Sequence, residues 1–274
     1  MYRIQDDLMW SLSIFKGRCV LDIWTSCKQE LREDRNASSL PPRLPFISDA
    51  LKAVERMKSS SEEARHTIVA VSYRGYWTSR GRASQAGLEL DAARAIQFAV
   101  EHFSSSTSDL RLVLWGQSIG AGIANVAAAR YVAETAQAKS THLPFLRGLV
   151  LETPFTSIND MLIALYPQKW LPYRYLGVFL RNSLDSRAAI KGVTRAIANP
   201  SSQTLAPKVL ILQAENDELV PGDHAAELES LYRNAGLETE RRTIRGALHT
   251  EVMAKGDGRN AIAQFLKELG TRNR

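Results

Sequence analysis

The chain has 274 residues, 45% hydrophobic and 23% charged, with a formal net charge of +6 at pH 7 and only two cysteines. These proportions exclude disordered, collagen-like and disulfide-scaffold classes and fit one domain with one large core. The Lys and Arg residues are scattered, with neither zinc-finger spacing nor a basic–aromatic RNA-binding motif, so the charge argues against a nucleic-acid partner and permits only weak peripheral contact with anionic lipid headgroups.

At the amino end, Met1 to Trp24 carries Asp6, Asp7, Lys16 and Arg18 through its apolar stretch, a pattern of neither a secretory signal nor an anchor. No apolar run approaches the eighteen or so residues of a membrane span. Cys19 and Cys27 lie far from any histidine cluster, which points to a reducing, cytoplasmic setting, with membrane association left open, and to no metal site. Asn36-Ala37-Ser38 fits a glycosylation acceptor, which matters only in a secreted protein. Cys19 to Trp24 predicts a short strand and Ser48 to Lys58 a helix. Between them, Glu30 to Ser39 is polar with mixed charge, and Pro41-Pro42-Arg43-Leu44-Pro45 is expected to be extended or turning.

From Thr67 onward short β-branched runs alternate with helical patterns, the signature of an α/β fold with a mostly parallel central sheet and helices on both faces. The predicted strands are Thr67 to Ser72, Arg111 to Trp115, Gly148 to Glu152, Lys208 to Gln213 and Thr239 to Ile244, the last more polar and nearer an edge. The predicted helices are Gln85 to His102, capped by Ser84, then Ile119 to Ala133, His224 to Ala235 and Thr250 to Leu269. The stretch 154–207 breaks the alternation and is crowded with aromatics: Phe155, Tyr166, Trp170, Tyr173, Tyr175 and Phe179. It reads either as a cap giving the site an apolar wall or as a helical excursion packed on the sheet. The expected organisation is an atypical segment 1–39, a core of 40–153 and 208–274, and a cap insertion 154–207 within the same domain.

Within that frame, Leu110 to Gly122 runs from an apolar strand through Gly116-Gln117-Ser118-Ile119-Gly120 into an alanine-rich helix. This is the arrangement of a nucleophile elbow, in which small residues let the turn close and leave a serine hydroxyl exposed. A serine hydroxyl is a weak nucleophile and needs a base, which in turn needs an orienting acid. Asp217 follows a predicted strand and is the preferred acid, with Glu215, Glu218 and Asp223 as rivals. His249 follows the last strand and is the preferred base. His66, His102, His142 and His224 fall in strand, helix-end or polar-loop positions that suit the role less well.

Taken together, Tyr73-Arg74-Gly75-Tyr76, Ser84-x-x-Gly87-Leu88-x-x-Asp91-Ala92, Gly116-Gln117-Ser118-Ile119-Gly120, Glu152-Thr153-Pro154-Phe155-Thr156-Ser157, Asp217-Glu218-Leu219-Val220-Pro221 and Gly246-x-x-His249 resemble the α/β-hydrolase superfamily. Within it the chain is similar to the α/β-hydrolase-domain serine hydrolases that include lysophospholipid lipases and protein depalmitoylases. The resemblance implies Ser118 as nucleophile, Asp217 as acid and His249 as base, acting on an acyl ester or thioester of lipid-like character without metal or organic cofactor. It also implies an oxyanion hole from the backbone of Ile119 and of the segment at Asn36. There the chain departs from the family: Asp34-Arg35 stands where His-Gly is expected, and Gln29 to Glu33 is too polar for the central strand that should precede it, so truncated amino-terminal strands are expected. Loss of one oxyanion donor costs roughly 2.7 to 4 kcal/mol of barrier. A hydrolase-fold protein that binds without turnover is therefore the alternative reading.

Overall fold

The computed structural model describes residues 9–12, 19–27, 40–57, 65–76, 79–104, 110–138, 143–166, 182–199 and 204–270. Among them are seven strands in one sheet and seven α-helices. In chain order these are β1 (Met9–Leu12), β2 (Cys19–Cys27), α1 (Leu40–Met57), β3 (Arg65–Val71), α2 (Gln85–Phe103), β4 (Arg111–Ser118), α3 (Ile119–Gln137) and β5 (Phe145–Glu152), followed by α4 (Ile158–Leu165), α5 (Ser186–Ile197), β6 (Lys208–Ala214), α6 (Gly222–Asn234), β7 (Thr239–Ile244) and α7 (Gly256–Gly270). The strand order is β1-β3-β2-β4-β5-β6-β7, with β1 antiparallel to β3 and every other pairing parallel.

Successive side chains of a strand point to opposite faces, and β4 shows how this divides the core. Leu112 and Leu114 join the layer built with α2, α3, α5 and α6, while Val113 and Trp115 join the layer built with α1 and α7. Both faces of the central strands are thus covered, which is why those strands read as continuous apolar runs. The edge strand β7 leaves Arg241, Arg242 and Thr243 exposed.

The predicted strands and helices from Thr67 onward all form, with bounds shifted by a few residues, and three features of the chain need comment. The first is at α1, which begins at Leu40 and takes in the proline-rich run expected to be extended. Pro41 and Pro42 fall in the first turn, where backbone N–H groups have no intrahelical acceptor, so only Pro45 removes a hydrogen bond. Burial of Ile47, Ala50 and Val54, together with an ion pair from Arg43 described below, offsets that loss. The second is at the last helix: Val252–Ala254 forms a separate 3-10 turn whose Val252 and Met253 are fully buried, and α7 starts only at Gly256. A Cβ on Gly258 would fall on the Val252 carbonyl, so the two pieces pack closely only because this residue is glycine.

The third feature is the amino end. The strand predicted over Cys19 to Trp24 forms as β2, three residues longer, and pairs with β3 on one side and β4 on the other. Segment 1–39, expected to have truncated strands, thus contributes β1 and β2 to the sheet. Residues 28–39, with Asp34, Arg35 and Asn36, lie outside the described residues.

In the insertion, α4 and α5 fold against the helices of one face. Asp160 of α4 accepts a hydrogen bond from Arg187 of α5, and Arg187 also bonds Glu227 of α6 at 2.6 Å. Phe155 is 3% exposed and packs in the core, whereas Tyr166 is 37% exposed. Trp170, Tyr173, Tyr175 and Phe179 lie outside the described residues.

Candidate active site

Ser118 ends β4 and precedes the first residue of α3, with φ 52° and ψ −118°. A non-glycine residue with positive φ is strained. The turn that holds it closes only because Gly116 lacks a Cβ, which would land on the backbone of Gly120. Ser118 is half-buried in a wall where Ala121 to Ala124 are fully covered. Ile119 opens α3, so its N–H has no intrahelical acceptor and lies at the positive end of the helix dipole. In the parallel ladder between β2 and β4, Cys27 is the Cα partner of Ser118. The end of β2 therefore lies beside the elbow.

Asp217 lies in the loop after β6. Its Oδ1 accepts the backbone N–H groups of Leu219 at 3.0 Å and Val220 at 2.8 Å, a side-chain-closed turn that fixes the carboxylate. Both of its oxygens are 2.9 Å from Nδ1 of His249, and the two side chains are each 5% exposed. A carboxylate can only accept, so Nδ1 carries the proton and Nε2 is left as the basic nitrogen of the neutral ring.

The rivals of Asp217 have other partners. Glu215 accepts the N–H of Gly246 at 2.8 Å, Glu218 accepts the N–H of His249 at 2.9 Å, and Asp223 is exposed in the first turn of α6. The Gln117 side chain, 4% exposed, donates to the His249 carbonyl at 3.3 Å, so the end of β4 and the histidine loop are tied together one residue from Ser118. Sequence reasoning missed this bond and the Glu218 contact. The signal at Glu218 was a carboxylate adjoining the preferred acid.

The other histidines have separate surroundings. His66 sits in β3, and His102 stacks on Phe98 at the end of α2 with 5.3 Å between ring centroids. His224 is 7% exposed, with Nδ1 2.8 Å from the Thr156 hydroxyl. His142 lies outside the described residues, as does Asn36. Among the described residues no group of three or more His, Cys, Asp or Glu is arranged to hold a metal ion, and no helix is long and apolar enough to cross a membrane.

Beneath the elbow, on the face covered by α1 and α7, Glu152 at the end of β5 is fully buried. It accepts two bonds from Arg43 of α1, at 2.6 and 2.7 Å, and one from Trp115 Nε1 at 2.5 Å. The start of α1 is thereby fastened to the carboxyl ends of β4 and β5, the edge of the sheet where open α/β folds carry their functional groups.

A family model described as the alpha/beta hydrolase fold matches residues 46–253. Protein bem46 of Schizosaccharomyces pombe is 27% identical over 262 residues, covering 92% of this chain and 74% of its own length. The lysophosphatidylserine lipase ABHD12 of Danio rerio is 29% identical over 154 residues, covering 56% of this chain and 36% of the lipase. The chain thus spans about three quarters of one relative and about a third of the other. Among solved structures, the esterase Est1E of Butyrivibrio proteoclasticus superimposes with a TM-score of 0.58 at 14% identity, covering 98% of each chain.

Proposed function

Because the chain belongs to the α/β-hydrolase fold family, we propose that it is a serine hydrolase that cleaves an acyl ester or thioester through Ser118, His249 and Asp217. The observation that carries this reading is the pairing of a buried Asp217 carboxylate with His249 Nδ1, in loops laced to a strand that ends in a strained serine. The name of the lysophosphatidylserine lipase relative supports a lipid-like acyl substrate.

In this mechanism the Ser118 hydroxyl attacks the acyl carbonyl carbon as His249 Nε2 takes its proton. Asp217 holds the ring and stabilises the imidazolium that forms. The negative charge on the tetrahedral oxygen is met by the N–H of Ile119 at the start of α3. The second donor is assigned to the chain leaving β2, where Asn36 is the candidate. Collapse expels the alcohol or thiol, which receives the proton from His249. Water then enters by the same steps in reverse roles and releases the acid. No metal or organic cofactor enters the cycle.

A fluorophosphonate probe tests the reading. It is expected to label the purified chain and to fail on Ser118→Ala, while a series of p-nitrophenyl esters of rising chain length reports the acyl preference. Equal labelling of the two proteins, or none of the wild type, overturns it. Saturable ligand binding without turnover would instead favour a binding protein on this fold.

A further inference from the structure

We propose that Glu218 is a positioning residue for the base, holding the main chain of His249 while Asp217 holds its ring. The inference rests on the serine-hydrolase reading above and names what fixes the histidine in it. The loops after β6 and β7 continue the ladder of those strands beyond its end. Glu215 N–H donates to the Ile244 carbonyl at 3.1 Å, and Asn216 N–H donates to the Ala247 carbonyl at 3.0 Å. Past that point the backbone pairing gives way to side chains. The Glu218 carboxylate accepts the His249 N–H at 2.9 Å, and the Gln117 amide donates to the His249 carbonyl at 3.3 Å.

The geometry explains why such a clamp matters. The atom that moves the proton, Nε2, is the ring nitrogen farther from the backbone, so a small rotation at Cα displaces it most. Asp217 and the burial of the ring fix the imidazole, but neither holds the main chain that carries it. Leu248 and Thr250 are exposed and pack little, and the Leu248 backbone is held only locally, by Glu251 at 3.2 Å, so the His249 backbone relies on longer-range hydrogen bonds. The adjacent residues Asp217 and Glu218 therefore grip one histidine at two places, and Gln117 closes the third side from the strand that carries the serine. Displacements of about 1 Å at a reacting group slow a reaction by up to about a hundredfold.

The test compares Glu218→Ala with Glu218→Gln in the whole chain, using p-nitrophenyl ester hydrolysis and hydrogen exchange of the peptide containing His249. The alanine variant is expected to lose about tenfold in kcat with KM changed less than about twofold. Exchange at the His249 amide should rise by about tenfold as its acceptor is lost. The glutamine variant keeps an oxygen acceptor for the same N–H and should restore both readouts. Unchanged kcat and exchange in Glu218→Ala overturn the proposal. A glutamine variant as slow as the alanine variant also overturns it, since charge rather than the hydrogen bond would then matter. If exchange responds as expected but the wild type neither turns over nor takes the fluorophosphonate, the hydrolase reading fails while the backbone clamp stands.

Discussion

Arg43 and Glu152 lie 109 residues apart in the chain and meet in a buried, doubly hydrogen-bonded ion pair that fastens α1 to the end of β5. Removing one partner of such a pair strands the other charge in a low-dielectric interior. Arg43→Ala is therefore expected to lower stability by about 3 to 5 kcal/mol. The double variant Arg43→Met, Glu152→Met leaves no orphaned charge and should be clearly more stable than the single variant. Urea denaturation of the three proteins decides this, and a single variant as stable as the wild type would refute it.

A second prediction concerns the elbow. A Cβ at position 116 meets the backbone carbonyl of Gly120 rather than a side chain that could swing aside. Gly116→Ala should therefore cost at least about 1 to 3 kcal/mol through a displaced α3 and abolish fluorophosphonate labelling. A thermal melt and a labelling gel on the same preparation suffice. Retention of labelling at the wild-type rate would show that the turn has more room than its contacts indicate.

The parts of this arrangement legible in sequence are those fixed locally. Gly116, Ser118 and Gly120 announce a turn whose geometry depends on neighbouring residues, and the strands β4 to β6 are apolar because both of their faces are covered. Asp217 and His249 were selected by their places after strands, and the structure brings those two side chains together. What sequence misread depends on long-range partners. The helical course of Pro41 to Pro45 is supported by an ion pair with a residue in β5, whereas the place of β2 at the centre of the sheet, between β3 and β4, depends on pairings no local pattern announces. Gln117 gave no sign of its bond to His249, and Glu218 none beyond its place beside the preferred acid, since each contact is to the backbone of a residue far along the chain.

The choice of acid among four neighbouring carboxylates gives a third prediction. Asp217→Asn keeps the shape but offers Nδ1 an amide in place of a pure acceptor, so kcat on an activated ester should fall by about 10³ to 10⁴. Glu215→Gln retains an oxygen for the Gly246 N–H, and Asp223→Asn alters an exposed residue, so both should stay within about threefold of wild type. Steady-state kinetics on the three variants ranks them. A larger loss in Glu215→Gln or Asp223→Asn than in Asp217→Asn would move the acid to another position.

The last prediction follows from Asp160, which links α4 to α5. Burial works against its ionisation, but hydrogen bonds from Ser157, Thr156 and Arg187 outweigh that effect and hold its carboxyl below the ordinary value of 3.8. A carboxyl with a depressed folded-state pKa stabilises the fold fully above its unfolded value and loses that contribution as pH falls through the folded value. The stability advantage of wild type over Asp160→Asn should accordingly be constant above about pH 5 and shrink below the ordinary carboxyl range. Arg187 stays charged throughout, since its own pKa is raised by the Glu227 and Asp160 hydrogen bonds despite partial burial. The titrating partner is thus the carboxylate. Urea midpoints of the two proteins measured across acid pH test this, and a gap that does not narrow on acidification would assign the stabilisation to packing around α4 instead of to the Asp160 charge.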